Sequence, residues 1–249
     1  MSGKIKYVFP VLLFAALDCG SSGVYDEALT SYARVVRSGL VEWHPLNGNL
    51  TARTGSAVVS ATAGYSSGNN RADESGKALC TTSAEFLFAS TALGTAPFTI
   101  SAWIKLNTLN AGSNSIIQKG RPQTGYLGFL ISQSGSTSWS MSYGDGSNTR
   151  NTTSAGVTAG VWHYLAFSFG GSTGTFYIGK YGADLTQHNP PTGAYTKETL
   201  TSEFQIFAPT NTPPNPFGVS SVDGCADDVL YYSRVLSADE IKQNFLSLE

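Results

Sequence analysis

Charge is what this 249-residue sequence has least of. Asp, Glu, Lys and Arg together make up 13% of it, about half the share of an average soluble protein. The 15 basic and 17 acidic residues leave a net charge of −2, and neither sign gathers into a block. A phosphate backbone is held by clustered Lys and Arg, so nucleic acid is excluded as a partner. Cysteine is also scarce. Cys19, Cys80 and Cys225 are the only three, an odd number and too few for a disulfide-framed miniature fold. No CxxC pair and no His-rich cluster offers a zinc site. The three histidines, His44, His163 and His188, stand in no recognisable nucleophile elbow with Ser or Cys.

A long apolar run is missing too. "YVFPVLLFAAL", Tyr7 to Leu17, is too short to span a bilayer as a helix, so no transmembrane span is expected. With Lys4 and Lys6 before it and "DCGSSG" after it, this run matches a secretory signal. Pro10 within the run, and Asp18 where a lipidated Cys19 would need a small residue, argue against that reading. Residues 1–30 are therefore expected to form an N-terminal segment, either a signal or anchor or an ordered docking arm.

Ser, Thr, Asn and 27 Gly take the place of charge, and 41% of the residues are hydrophobic, enough for a substantial core. Residues 24–38, "VYDEALTSYARVVRS", carry Leu29, Ala33 and Val36 at helical spacing, which predicts a short helix ending near Gly39. "GLVEWHPLNGN" then reads as a strand closed by an Asn-Gly turn. Beyond it come short β-like runs between polar turns: "PFTISAWIKL" (97–106), "GYLGFLIS" (125–132), "TSWSMSY" (137–143), "VWHYLAFSF" (161–169), "GTFYIGKY" (174–181) and "EFQIFA" (203–208). Phe98, Ile100, Ala102 and Ile104 alternate with Thr99, Ser101 and Lys105, predicting a strand with one buried face. "APTNTPPNPFG" (208–218) is expected to be a rigid loop. Many such strands in one composition zone point to a single two-sheet sandwich. Cys80 and Cys225 both lie in β-like runs, where they either meet across adjacent strands or stay as two buried thiols.

From about Ser31 to the C-terminus the order of these runs resembles the laminin-G-like members of the concanavalin-A-like jelly-roll superfamily. "GLVEWHPLNGN" is similar to the family's opening strand, "PFTISAWIKL" to its aromatic strand and "SIIQKG" to its Lys-Gly strand. "VTAGVWHYLAFSF" resembles the strand begun by Trp-His, and "CADDVLYYSRVLSADEI" the closing strand, turn and helix. "IGK" at 178–180 departs from the family's Asp-Gly, and "LNGN" from its acidic residues. The resemblance implies an all-β, two-sheet antiparallel jelly roll over residues 31–249, with a short N-terminal segment and a short C-terminal helix. It also implies that the closing strand pairs near the first, with the helix tucked against the sandwich edge. Ser237 and Glu240 have the spacing of a capping box at that helix.

Enzymatic relatives in this superfamily carry two or three carboxylates alternating on one strand face, and glycoside hydrolysis needs such a pair. No Glu-x-Asp-x-Glu occurs here. Asp227 and Asp228 are adjacent, so they are expected to point to opposite faces of the strand and to form no such pair. No enzymatic activity is expected. Many relatives bind Ca²⁺ near the first and last strands. Asp227 matches the acidic ligand of the closing strand, and Asn47, with Gly48 and Asn49, stands where further oxygens would come from. The alternative is an Asp227 held by hydrogen bonds alone. Trp139, Met141 and Tyr143 share one strand face ahead of "GDGSNTR". Trp139, Tyr143 and Asp145 thus make a candidate glycan site, or else half of a core. Trp43, Trp103 and Trp162 are expected in packing.

The reading that follows is a non-enzymatic surface module of a virion or phage tail, because "SYARVVRSGLVEWHPL" also resembles the start of such modules. Its expected partners are glycans or other particle-surface or cell-surface proteins, with homo-oligomers possible. The rival is a secreted or lipid-anchored bacterial lectin-like or adhesion protein, and a third reading is a carbohydrate-active enzyme with an unfamiliar site.

Overall fold

A computed structural model of the chain describes residues 35–89, 93, 95–120, 127–197, 203–207 and 222–247. The N-terminal segment, most of the expected helix at 24–38, Cys19 and the Pro-rich loop at 208–218 lie outside these residues. Within them the chain alternates between short apolar strands and polar turns, and the strands pair into two antiparallel sheets. The first holds β1 (Leu40–His44), β3 (Ser66–Gly68), β4 (Ala78–Thr81), β6 (Phe98–Leu106), β11 (Trp162–Gly170), β12 (Thr173–Lys180), β13 (Leu185–His188) and β15 (Gly224–Tyr232). Their order is β13-β12-β11-β6-β15-β4-β3, with β1 also beside β15. The second sheet runs β10 (Thr149–Ala155), β9 (Ser138–Asp145), β8 (Leu127–Ser134), β7 (Ser113–Gly120), β14 (Glu203–Ile206), β5 (Phe86–Ala89) and β2 (Val58–Ala61).

The closing strand ties the ends of the domain together, as the resemblance implied. β15 pairs with β6 on one side; on the other its first residues meet β4 and its last residues meet β1. Every residue of β15 is buried. The main core lies between the sheets and is aromatic, with Phe167 and Phe176 stacked at 4.4 Å between centroids.

Two expectations are corrected by a second core. β6 was expected to bury one face, but Thr99, Ser101 and Trp103 on its other face are buried as well. They are covered because α1 (Ala238–Leu246) does not tuck against an edge. Its Phe245 stacks on Trp103 of β6 at 5.3 Å and meets Tyr164 of β11 edge-on, so the helix lies across the outer face of the first sheet. Gly179 of β12 makes this approach possible, since a Cβ there would sit 2.6 Å from Phe245 Cε2. The departure "IGK" at 178–180 thus has a packing reason.

Local chemistry fixes α1. Ser237 Oγ accepts from the Glu240 amide and Glu240 Oε2 accepts from the Ser237 amide, the expected capping box. Asn244 knits the rest. Its Oδ1 accepts from Val36 N, its Nδ2 donates to Tyr232 Oη, and Tyr232 Oη donates to the Val36 carbonyl. Residues 35–38, expected at the end of a helix, are instead a non-helical segment held to α1 and β15 by these bonds.

Candidate functional site

β9 does not present the sugar-binding face expected of it. Trp139, Met141 and Tyr143 all project into the core between the sheets and are 0% exposed. Trp139 packs edge-on to His163 at 5.4 Å, and the Tyr143 hydroxyl donates to the Pro191 carbonyl at 2.9 Å. A sugar cannot stack on rings that other side chains already cover. Their serine neighbours, Ser138, Ser140 and Ser142, take the outer face, as period-2 alternation requires. Asp145 follows on a half-buried turn. Its Oδ1 accepts from the amides of Asn148 and Ser147 at 2.7 and 2.8 Å, and its Oδ2 lies 3.5 Å from Arg150. The amides of Asn148 and Ser147 hold this carboxyl below its usual range, so it serves as a turn residue.

The acidic pair of the closing strand behaves differently from expectation. β15 slips register against β6 between Asp227 and Leu230, and Asp228 has a φ of +45°, in the left-handed region. This bulge turns two adjacent carboxylates toward one group, where a regular strand would have separated them. Arg71 donates from Nη1 to Asp227 Oδ2 and from Nη2 to Asp228 Oδ2, each at 2.8 Å, and from Nη2 to the Ser247 carbonyl at 2.5 Å. Trp43 Nε1 adds a bond to Asp228 Oδ1 at 3.1 Å, and the guanidinium rests 4.9 Å over the Trp103 ring. A calcium ion at Asp227 would have to share these carboxylates with a guanidinium, and Asp227 Oδ1 is the oxygen without a hydrogen bond. Arg71 already supplies the positive charge, and no group of three or more His, Cys, Asp or Glu side chains gathers elsewhere among the described residues. Asn47 sits in the neighbouring loop, where its carbonyl accepts from Asn49 Nδ2 at 3.0 Å. Both carboxylates are buried, with Asp227 0% and Asp228 2% exposed, so they cannot act as a hydrolytic pair either.

His44, one of the three histidines, also has an acidic partner. Its Nε2 lies 3.3 Å from Glu42 Oε2, and both are buried. Burial holds the imidazole below its usual pKa despite the opposing pull of Glu42. Glu42 Oε1 is occupied by the amides of Ser56 and Ala57. This is a structural tie between β1 and the following loop.

A site of another kind lies at one end of the first sheet. β4 and β6 end there, β3 and β15 begin there, and their loops enclose a recess of about 390 Å³. Tyr65 lines it with a side chain that is 42% exposed, its ring braced edge-on by Phe86 at 6.2 Å. Across the recess Asn107 and Asp223 are locked together twice. The Asn107 amide donates to the Asp223 carbonyl at 2.9 Å, and Asn107 Nδ2 donates to Asp223 Oδ1 at 2.7 Å. Ser66 and Thr82 add hydroxyls to the wall. Beneath lies the Cys80–Cys225 disulfide, which joins directly opposed residues of β4 and β15. Of the two alternatives open in the sequence, the disulfide is the one the structure has. An accessible ring beside fixed hydrogen-bonding groups in a recess of this size is the usual make-up of a small-ligand site.

Sequence reasoning missed this recess because Tyr65, Asn107 and Asp223 are far apart in the chain. Each sits at a strand end, but only the strand order brings β3, β6 and β15 to one end of one sheet. The single local signal is a lone tyrosine in the turn-rich stretch "AGYSSGNN".

Residues 81–242 match the laminin G family described as the concanavalin A-like lectin/glucanases superfamily. No curated protein matches the sequence. Among solved structures, domain 4 of AbnA, a GH43 extracellular arabinanase from Geobacillus stearothermophilus, in complex with arabinotriose, aligns over 84% of this chain and 98% of its own. The TM-score is 0.59 and the identity 15%. A sialidase of Trypanosoma rangeli aligns over 85% of this chain with TM-score 0.57 and 16% identity, and the match covers 33% of the sialidase. Botulinum neurotoxin type C, whose cell entry is described as dependent upon interaction with two ganglioside molecules, aligns over 85% of this chain and 52% of its own. There the TM-score is 0.61 and the identity 12%. The chain thus spans about a third of the sialidases it matches, and at these identities the likeness is one of fold.

Proposed function

The chain belongs to the laminin G family of the concanavalin A-like lectin/glucanases superfamily, and on that premise we propose that it is a non-catalytic glycan-recognition module. The observation that carries the reading is the recess at the end of the first sheet, lined by both the exposed Tyr65 ring and the hydrogen-bonded Asn107–Asp223 pair. A sugar ring offers an apolar face to an aromatic side chain and a circle of hydroxyls to fixed acceptors, and this recess supplies both. Two neighbours of the same fold support the reading, one in complex with arabinotriose and the other dependent on ganglioside molecules for cell entry. The chemistry of the recess supports a purely binding role. Asp223 is its one carboxylate among the described residues, and hydrolysis by the usual route needs two.

The setting we propose is outside the reducing cytosol, on the surface of a cell or a particle. The Cys80–Cys225 disulfide supports this, because such bonds persist in oxidising compartments. Cys225 is 2% exposed and paired within a buried strand, which fits oxidation during folding. That favours the exported, lectin-like or adhesion protein over a phage tail or virion part assembled in the cytosol.

Glycan-array screening followed by titration of the best ligand tests the function. Binding is expected, with a loss of about tenfold or more in Tyr65→Ala and retention in Tyr65→Phe. Wild-type binding that survives Tyr65→Ala unchanged would overturn the assignment to this recess.

A further inference from the structure

We infer that the recess selects neutral oligosaccharides and rejects acidic ones, an inference that rests on the glycan-binding reading above. The groups that line it decide the matter. Asp223 is the one charged side chain among the described lining residues, and Asn107, Ser66 and Thr82 supply uncharged acceptors and hydroxyls. The nearest lysine in sequence, Lys105, sits on the preceding strand and carries its ammonium 5.2 Å over the Trp162 ring, committed to another contact. The Asp223 carboxylate is fixed in place by Asn107 Nδ2 at Oδ1, which leaves Oδ2 as the acceptor for a ligand.

Two consequences follow. Adjacent sugar hydroxyls are donors, and a carboxylate accepts from them through charge-assisted bonds that are stronger than neutral ones. The carboxylate of a sialic or uronic acid in the same recess would face Asp223 with no cation between them, which raises the free energy of both charges. Two of the structural neighbours are a sialidase and a ganglioside-dependent toxin, and fold alone would suggest an acidic sugar here. The charge of this recess argues for the opposite class.

The test uses one oligosaccharide in two forms, with and without a terminal sialic acid, titrated into the full chain and into Tyr65→Ala, Tyr65→Phe and Asp223→Asn. The neutral form is expected to bind about tenfold tighter or more than the sialylated form at low ionic strength. That gap should narrow as salt screens the repulsion, while neutral binding stays salt-independent. Asp223→Asn should weaken the neutral ligand and improve the sialylated one, a crossing that loss of packing alone would not produce. Tyr65→Phe, which keeps the ring, should leave the preference intact. Tyr65-dependent binding of the sialylated form as tight as the neutral form overturns the inference and leaves the glycan-binding reading standing. If neither form binds, or if binding ignores both Tyr65→Ala and Asp223→Asn, the assignment of the recess falls and the inference falls with it.

Discussion

Arg71 Nη1 lies 2.8 Å from Asp227 Oδ2, and each of the two side chains is 1% exposed. The guanidinium reaches from the turn between β3 and β4 to the bulge of β15, and its other nitrogen takes Asp228 and the carbonyl at the end of α1. One residue therefore locks the turn, the closing strand and the helix together.

Removing that lock should be severe. Arg71→Met leaves the Asp227–Asp228 pair buried without its cation and is expected to cost about 3–5 kcal/mol, the range for breaking a buried pair from one side. Denaturant unfolding measures it. Chelator should leave the wild-type melting temperature unchanged if the Arg71 guanidinium, which takes Asp227 Oδ2, is the pair's only cation. A calcium-dependent rise in melting temperature that disappears in Asp227→Ala would show that the cation site lies there after all.

The same cluster makes stability depend on pH. Burial and then the neighbouring Asp228 push the Asp227 carboxyl well above its usual value of 3.8, against the pull of Arg71. A carboxyl whose folded pKa is raised binds its proton more tightly in the folded chain than in the unfolded one. Its contribution is full below the unfolded value and is lost as pH rises through the folded one, at about 1.4 kcal/mol per pH unit. Asp227→Asn should flatten this decline from about pH 4 upward. Glu240 works in the opposite sense. Arg234 and the Ser237 amide hold it down to about 2, so its contribution is full above its usual 4.5 and is lost as pH falls through about 2. Wild-type and Asp227→Asn curves that run parallel above pH 4 would mean that Arg71 keeps Asp227 ionised.

The fold was legible because period-2 alternation is written into the local sequence and the succession of strand runs along the chain resembles that of a known family. The apolar positions of β6, β9 and β11 and the capping box at Ser237 all stand where the pattern puts them. What the pattern could not supply was depth. Trp139 and Tyr143 alternate with serines as a sugar platform would, yet the same alternation serves a core, and the second sheet facing them decides which it is. The expected opposite-face orientation of Asp227 and Asp228 failed for a sharper reason. Alternation fails where the backbone takes a left-handed step, and Asp228 is such a step on a residue other than glycine. The recess was illegible because its three principal residues share no local pattern.

The disulfide should matter to stability more than its single bond suggests. It joins residues separated by 145 positions, so reduction returns a very long loop to the unfolded chain. The chain-entropy estimate gives about 5 kcal/mol for such a closure. Cys80→Ser with Cys225→Ser should lower the denaturation midpoint accordingly, and reductant should do the same to the wild type while leaving the double variant unaffected. Equal midpoints with and without reductant would mean that the two thiols are not joined in solution.

The sharpest contrast is between two aromatic residues, one expected in a glycan site and one not. Trp139 is 0% exposed and packs on His163, whereas Tyr65 is 42% exposed at the mouth of the recess. Trp139→Ala opens a cavity in the core and should cost about 3–5 kcal/mol of stability, and the fraction that stays folded should bind glycan with wild-type affinity. Tyr65→Ala removes a ring that keeps only its edge on Phe86. It should cost about 1 kcal/mol or less of stability while removing most of the binding. Denaturant titration and calorimetric binding on the same two variants separate the effects. If Trp139→Ala loses affinity at temperatures where it remains folded, and Tyr65→Ala does not, the glycan contacts the β9 side of the sandwich and the recess is not the site.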